Sequence, residues 1–413
     1  MFAQPPQPAN RIVALDALRG LAVIGIVLMN VYIFAMPQQA YLNPVVWGGG
    51  DPSDIAVWAF SFILVEDKFR TLFAMLFGAG AYMMLARDEA NKYRKHLARM
   101  AVLFLFGLVH AVVLANNDIL RGYALAGLLL PLFMNLSPRL LSAGAAMLLA
   151  VHLAGAMVTM GGISPYAEQI WHEPPSNPAI LSFAEQNYGS DPDAIAASVQ
   201  RGEESLSERI IRRTARIPAT TTFVLASVPL NLAAMLVGIL LWKTGLLSGH
   251  WPVTKLHKLA VRLSLVALAP LLLLAWMAVT SDFSALVMGV NGLFLSEPFD
   301  LLLGTAYAAL AMALFQQADE GRRWFLRLAA AGRMSLTNYL MTSLVLAWLF
   351  ASWGLGWFGN IDRLQALAIA FLPIALILLW SKAWLARFRF GPFEWLWRTL
   401  ARGQLQDMKR ASA

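Results

Sequence analysis

The side chains able to do chemistry in this chain are few, and most interrupt apolar runs. His110 breaks "FLFGLVHAVVLA" and is followed eight residues later by Asp118, at the end of "NND". An imidazole held by a carboxylate at one ring nitrogen offers the other as a general base for a hydroxyl or amine. Asn116 and Asn117 place amides beside that pair. In "RIVALDALRGLAVIGIVLMNVYIF", Asp16 and Arg19 are three residues apart and share a helix face. Asn30 returns to that face about three turns beyond Arg19, so one polar stripe runs about 21 Å along the axis. "VEDKF" sets Lys68 between Glu66, Asp67 and Arg70, where its ammonium could bind an anionic group. "GRMSLTNYLMTSL" supplies Arg333 and Asn338, while its hydroxyls read as partners of their own backbone.

The elements that must carry these residues are membrane helices. Of 413 residues, 59% are hydrophobic and 14% charged, and the mean hydropathy is +0.60. Soluble domains run about 45–50% apolar and about 25% charged. The apolar blocks repeat at about 20 residues, enough to cross roughly 30 Å of hydrocarbon as a helix. A charge at the centre of such a helix costs about 2.5–3.5 kcal/mol on insertion scales, so those kept there face protein or a wet cavity. The fold class expected is an all-α, polytopic transmembrane bundle. The bland reading of Asp16 and Arg19 is a headgroup-level ion pair, and that of Asn30 is a bond between helices.

Several chemistries are excluded. With no cysteine there is no disulfide, thiolate catalysis or Cys-based metal site. No phosphate loop, dinucleotide fingerprint, HExxH or histidine pair at metal spacing occurs, so no metal is expected. The net charge of +8 reflects basic cytoplasmic loops rather than a nucleic-acid partner.

Ten spans are read, near 17–36, 69–86, 97–115, 119–136, 140–160, 217–241, 258–280, 298–317, 329–351 and 364–385. Basic segments at 87–99, 242–258, 320–327 and from Lys382 onward put both termini in the cytoplasm. Residues 1–160 then form the first half of the bundle and 161–216 an extracytoplasmic region. Residues 217–385 form the second half, and 386–413 an amphipathic tail at the cytoplasmic interface. "RIIRRTAR" (209–216) is basic on the supposed outer face, against the trend.

"RIVALDALRGLAVIGIVLMN", "KFRTLFAMLFGAG", "LFLFGLVHAVVLANNDILRGYALAGLLL", "GRMSLTNYLMTSL" and "FGPFEWLWRTL" resemble the bacterial YeiB-like membrane proteins, whose C-terminal half is domain of unknown function 418. Asn117 stands where that family usually has glycine. More remotely, "LDALRG…N" looks like the opening helix of heparan-α-glucosaminide N-acetyltransferase and other transmembrane acyltransferases. This resemblance implies an acyl-coenzyme A donor on the cytoplasmic side, a sugar-like, hydroxyl or amine acceptor outside, and a multi-pass place in the bacterial inner membrane. Asp16, Arg19 and Asn30 would line the donor channel, with Arg333 at its basic mouth. His110, oriented by Asp118, would be the base; Lys68, Asn117 and Asn338 would contact substrate. The rival expectation is a transporter of a small metabolite through the same cavity. A structural scaffold and a homo-oligomer also fit the sequence.

Overall fold

The computed structural model describes residues 9–48, 50–87, 89–318 and 322–410, with side chains from Val13 onward. Among them the chain is α-helical with no strand, apart from an isolated antiparallel bridge between Phe388 and Lys409. The first part contains α1 (Ala9–Ala35), α2 (Pro52–Leu64), α3 (Lys68–Leu85), α4 (Lys92–Val113), α5 (Ile119–Leu129) and α6 (Pro138–Thr159). The long polar region folds into four short helices, α7 (Ser164–Ile170), α8 (Pro178–Tyr188), α9 (Pro192–Glu203) and α10 (Leu206–Ala215). The second part contains α11 (Ile217–Ala226), α12 (Val228–Lys243), α13 (Val253–Thr280), α14 (Ala285–Val290), α15 (Glu297–Gln317), α16 (Arg323–Arg333), α17 (Ser335–Phe350) and α18 (Arg363–Arg387). The tail ends in α19 (Pro392–Arg402).

Six of these, α1, α4, α6, α13, α15 and α18, are long and apolar enough to cross a membrane, and α11 with α12 makes a further pair bent by 43°. The remaining apolar blocks include the shorter helices Ile119–Phe133, Ala285–Leu295 and Ser335–Phe350. The ninth block breaks at Met334 for a visible reason. Glu394 of α19 accepts hydrogen bonds from the backbone N–H groups of Leu336 (2.7 Å) and Thr337 (3.0 Å), capping α17 as a new helix start. Val158, Leu132, Trp276 and Phe371 face outward at 81%, 74%, 61% and 59% exposure, a surface suited to lipid rather than water. A lipid bilayer is the environment of this protein.

Lipid tails are as apolar as leucine, so close contact rather than apolar burial must hold such helices together. Glycines allow it where α3 crosses α12. A Cβ on Gly78 would run into the backbone of Met235, and one on Gly238 into that of Met75. The bundle has two ends. At the tail end, Arg333 Nη2 donates to Arg389 O (3.4 Å) and Trp397 Nε1 to Arg99 O (2.8 Å), gathering α4, α16 and α19 near the start of α1. At the loop end, Gln39 donates to Gln186 O (2.9 Å) and Asn43 to Phe283 O (2.9 Å), so α8 and α14 cover the far end of α1.

Candidate functional site

His110 sits in the last turn of α4, and Asp118 is the N-cap of α5. The pair is therefore made across the α4–α5 turn, not along one helix face. Asp118 Oδ2 accepts from Arg121 N (2.9 Å), the ordinary N-cap bond, which turns Oδ1 toward His110 Nδ1 at 2.9 Å. Both side chains are essentially buried, at 1% and 0% exposure. Gly107, one turn before His110, lets α5 approach this closely. With Asp118 as acceptor, Nδ1 carries the proton and Nε2 is the basic nitrogen. Nε2 is buried with no hydrogen-bond partner among the described residues. The ring of Tyr339 from α17 lies 5.0 Å away, centroid to centroid.

Arg121 adds a cation to the same place. Its Nε is 3.7 Å from Asp118 Oδ2, and it donates to Thr220 Oγ1 and Asn116 O, both at 3.4 Å. Asn116 and Asn117 are exposed in the turn. Asn117 is absent from the positive-φ positions, so the turn forms there without glycine's conformational freedom.

At the tail end, Arg19 Nη1 donates to Asp16 Oδ1 at 2.8 Å, as the three-residue spacing predicts. Arg333 is exposed and close enough to act on Asp16 electrostatically. Asn30 is half-buried and makes no hydrogen bond with a described residue, so its amide is not spent on holding helices together. Leu72, Met75, Leu76, Met100 and Leu103 of α3 and α4 are buried in one apolar core with Leu15, Leu18 and Ala22 of α1. Two open grooves of about 640 and 400 Å³ lie at the loop end, sharing Trp47, and neither is lined by Arg19 or His110.

Lys68 and Asn338 are enclosed in the protein's own contacts. Lys68 Nζ lies 2.6 Å from Asp300 Oδ1, with both side chains 0% exposed, and donates to Phe62 O. An ammonium held this way does not face an outer vestibule. Asn338 donates to Ala331 O (2.9 Å) and Ser381 Oγ (3.1 Å) and accepts from Trp380 Nε1 (3.0 Å), joining α16, α17 and α18. Every strong bonding direction of that amide is occupied.

The sequence reading missed the acids opposite Lys68. Arg70 pairs with Asp67 and with Glu297 (3.1 Å) and donates to Asn231 Oδ1 (3.2 Å). Tyr123 OH donates to Arg70 O at 2.6 Å, linking this network to the α5 side of His110. Oxygens of Asp67, Glu297 and Asp300 lie within 4.8 Å of one another, a spacing that could hold a cation; Lys68 and Arg70 already supply positive charge there. Glu297 and Asp300 were detectable as two acids opening the apolar run "SEPFDLLLG".

Comparison with known proteins adds kinship without a reaction. A family model described as protein of unknown function, DUF418, matches residues 241–404. The uncharacterized protein YeiB of Escherichia coli (strain K12) is 31% identical over 406 residues, covering 95% of this chain and 96% of that protein. The uncharacterized protein YxaH of Bacillus subtilis (strain 168) is 30% identical, covering 96% and 95%. An uncharacterized 39.9 kDa protein from the amylase 3′ region of Bacillus acidopullulyticus is 26% identical over 95% of the chain and 94% of its own length. No solved structure matches.

Proposed function

The chain belongs to the YeiB-like DUF418 family, and from that premise we propose that it is an integral-membrane acyltransferase of the bacterial inner membrane. It moves an acyl group from a cytoplasmic acyl-coenzyme A to a hydroxyl or amine acceptor on the other side. The observation that carries this reading is the buried His110–Asp118 pair with an unpartnered Nε2.

The acceptor's hydroxyl or amine gives its proton to His110 Nε2 as its oxygen or nitrogen bonds to the thioester carbonyl carbon. Asp118 holds the tautomer and stabilises the imidazolium. Collapse breaks the C–S bond, and the departing thiolate recovers the proton from His110, leaving ester or amide and free thiol. Arg19 and Arg333 meet the donor's phosphates at the tail end, and Asp16 orients Arg19. Asn30 bonds the donor's amide-bearing arm. Leu72 and Met75 of α3 and Met100 and Leu103 of α4 belong to one buried apolar core, which must open for the thioester to reach His110.

Purified protein supplied with acetyl-coenzyme A and a panel of hydroxyl and amine acceptors should release free thiol only with a productive acceptor. His110→Ala should lower that rate by about 10²–10⁴, the ordinary worth of a general base, in a chain that still folds at a lower unfolding temperature, because Asp118 Oδ1 loses its buried donor. Near-normal turnover in that variant removes His110 from the chemistry.

One observation favours transport instead: the ionisable network of Lys68, Arg70, Asp67, Glu297 and Asp300 inside the bundle. Buried ionisable groups in membrane helices commonly mark substrate or proton paths. Counterflow of a small metabolite in liposomes, with no thioester consumed, would decide for the carrier.

A further inference from the structure

Four arginines gather around the loop-end terminus of α4. Arg121 opens α5, while Arg209, Arg212 and Arg213 come from α10, the basic segment that runs against the charge bias of the outer face. Arg213 Nη1 donates to Ala111 O at 3.3 Å, so it is anchored on the residue that follows His110. Arg209 and Arg212 are close enough to Arg213 to act on it electrostatically.

Counter-charge is short here. Glu204 is taken by Arg212, with contacts of 2.5 and 2.7 Å, and Asp118 is taken by His110 and the α5 N-cap bond. The Nε groups of Arg209 and Arg213 and one Nη of Arg212 are buried with no acceptor among the described residues, and Arg121 Nε, also buried without a hydrogen bond, has Asp118 Oδ2 only at ion-pair distance, 3.7 Å. Arg121 and Arg209 are 2% and 7% exposed. Arginines often bond the last carbonyls of a helix, which accounts for the contact to Ala111; the contact to Asn116 is made in the α4–α5 turn, and the Nε groups are left unexplained. Burial pushes Arg213 down to about 9, with Arg209 and Arg212 adding to the effect and Glu204 opposing it. An oxyanion supplies what is missing, because guanidinium groups bind phosphate and carboxylate through paired N–H donors.

We propose that Arg121, Arg209 and Arg213 form an anion-binding site that receives a phosphate or carboxylate group of the acceptor beside His110. The assignment of that anion to an acceptor rests on the acyl-transfer reading; the site itself does not. It takes the role that Lys68, closed against Asp300, leaves open.

The test uses the full chain in phosphatidylcholine nanodiscs, with inorganic phosphate as the probe, titrated calorimetrically at low salt with no thioester present. Its outcome is then independent of whether turnover is found. Saturable phosphate binding is expected, weakened at least tenfold in Arg209→Gln and Arg213→Gln, less in Arg213→Lys, and unchanged in the exposed Arg216→Gln. Arg121→Gln should behave like Arg213→Gln; should it fail to fold, the two α10 variants carry the test. Nanodiscs containing phosphatidylglycerol separate the two sources of anion. Undiminished phosphate affinity there supports a soluble acceptor, whereas competitive loss makes the occupant a lipid headgroup and overturns the acceptor assignment. Absence of saturable binding in the parent protein, or equal affinity in the glutamine variants, overturns the site.

Discussion

Gly107→Ala tests whether the α4–α5 contact creates the His110–Asp118 pair. A Cβ at Gly107 would lie 2.7 Å from Arg121 N and 2.8 Å from Arg121 Cγ, and closer still to Asp118 Oδ2. Reaching an ordinary contact of 3.4 Å requires the start of α5 to retreat by 3.4 − 2.7, about 0.7 Å. The same displacement applied to the 2.9 Å bond between His110 and Asp118 gives about 3.6 Å, which is no longer a hydrogen bond. Overpacking of this kind costs about 1–3 kcal/mol. Weakening the Asp118 cap adds about 1 kcal/mol, and replacing a helical glycine by alanine returns about 1 kcal/mol. The net is about 1–3 kcal/mol of destabilisation. Gly155→Ala on α6 is the control, because its Cβ meets nothing within 4 Å; it should be neutral or stabilising by up to about 1 kcal/mol. Thermal unfolding in detergent reads the first quantity, and histidine ring ¹⁵N shifts read the tautomer without any substrate. A misplacement near 1 Å can reduce turnover about 10²-fold. Gly107→Ala matching Gly155→Ala in stability, with the His110 tautomer retained, would refute the reasoning.

Lys68→Met strands a buried carboxylate and should destabilise by about 3–5 kcal/mol, while Lys68→Met with Asp300→Leu should recover most of that loss. Chemical unfolding of the reconstituted protein measures both, and a double variant no better than the single one contradicts the pairing. The Ser205 hydroxyl and backbone N–H hold Glu208 below the usual carboxylate range. Its folded value is lower than its unfolded one, so its support of α10 is present above the ordinary carboxylate value and is lost as pH falls through the folded value. Protection factors across 206–215, corrected for the intrinsic slowing of amide exchange in acid, should fall on acidification from pH 7 toward about 3, and a Ser205→Ala chain with the same acid response would count against the cap.

The class of fold was legible because it depends on composition and length. Blocks of about 20 apolar residues leave few alternatives when each backbone group in lipid must be bonded within its own helix. The Asp16–Arg19 contact was equally legible, being a property of one helix with a fixed period. His110 with Asp118 was found from its spacing, although the contact is made by an N-cap across a turn rather than along a helix face. The α19 tail was recognised as amphipathic, but nothing in its pattern pointed to Glu394 as the cap that splits the ninth block.

Local sequence thus determined the bilayer setting, the helical class and the contacts made within a few residues, since these depend on hydropathy, helix period and cap chemistry alone. Tertiary structure decided the pairings between distant segments. Lys68 with Asp300, Arg70 with Glu297, Asn338 with Trp380 and Arg213 with Ala111 are fixed by which helices neighbour one another. A charged side chain in an apolar run carries the same sequence signal whether it meets a counter-ion or a ligand. Only the neighbouring helix determines which nitrogens are satisfied and which, at His110 and around Arg213, are left open.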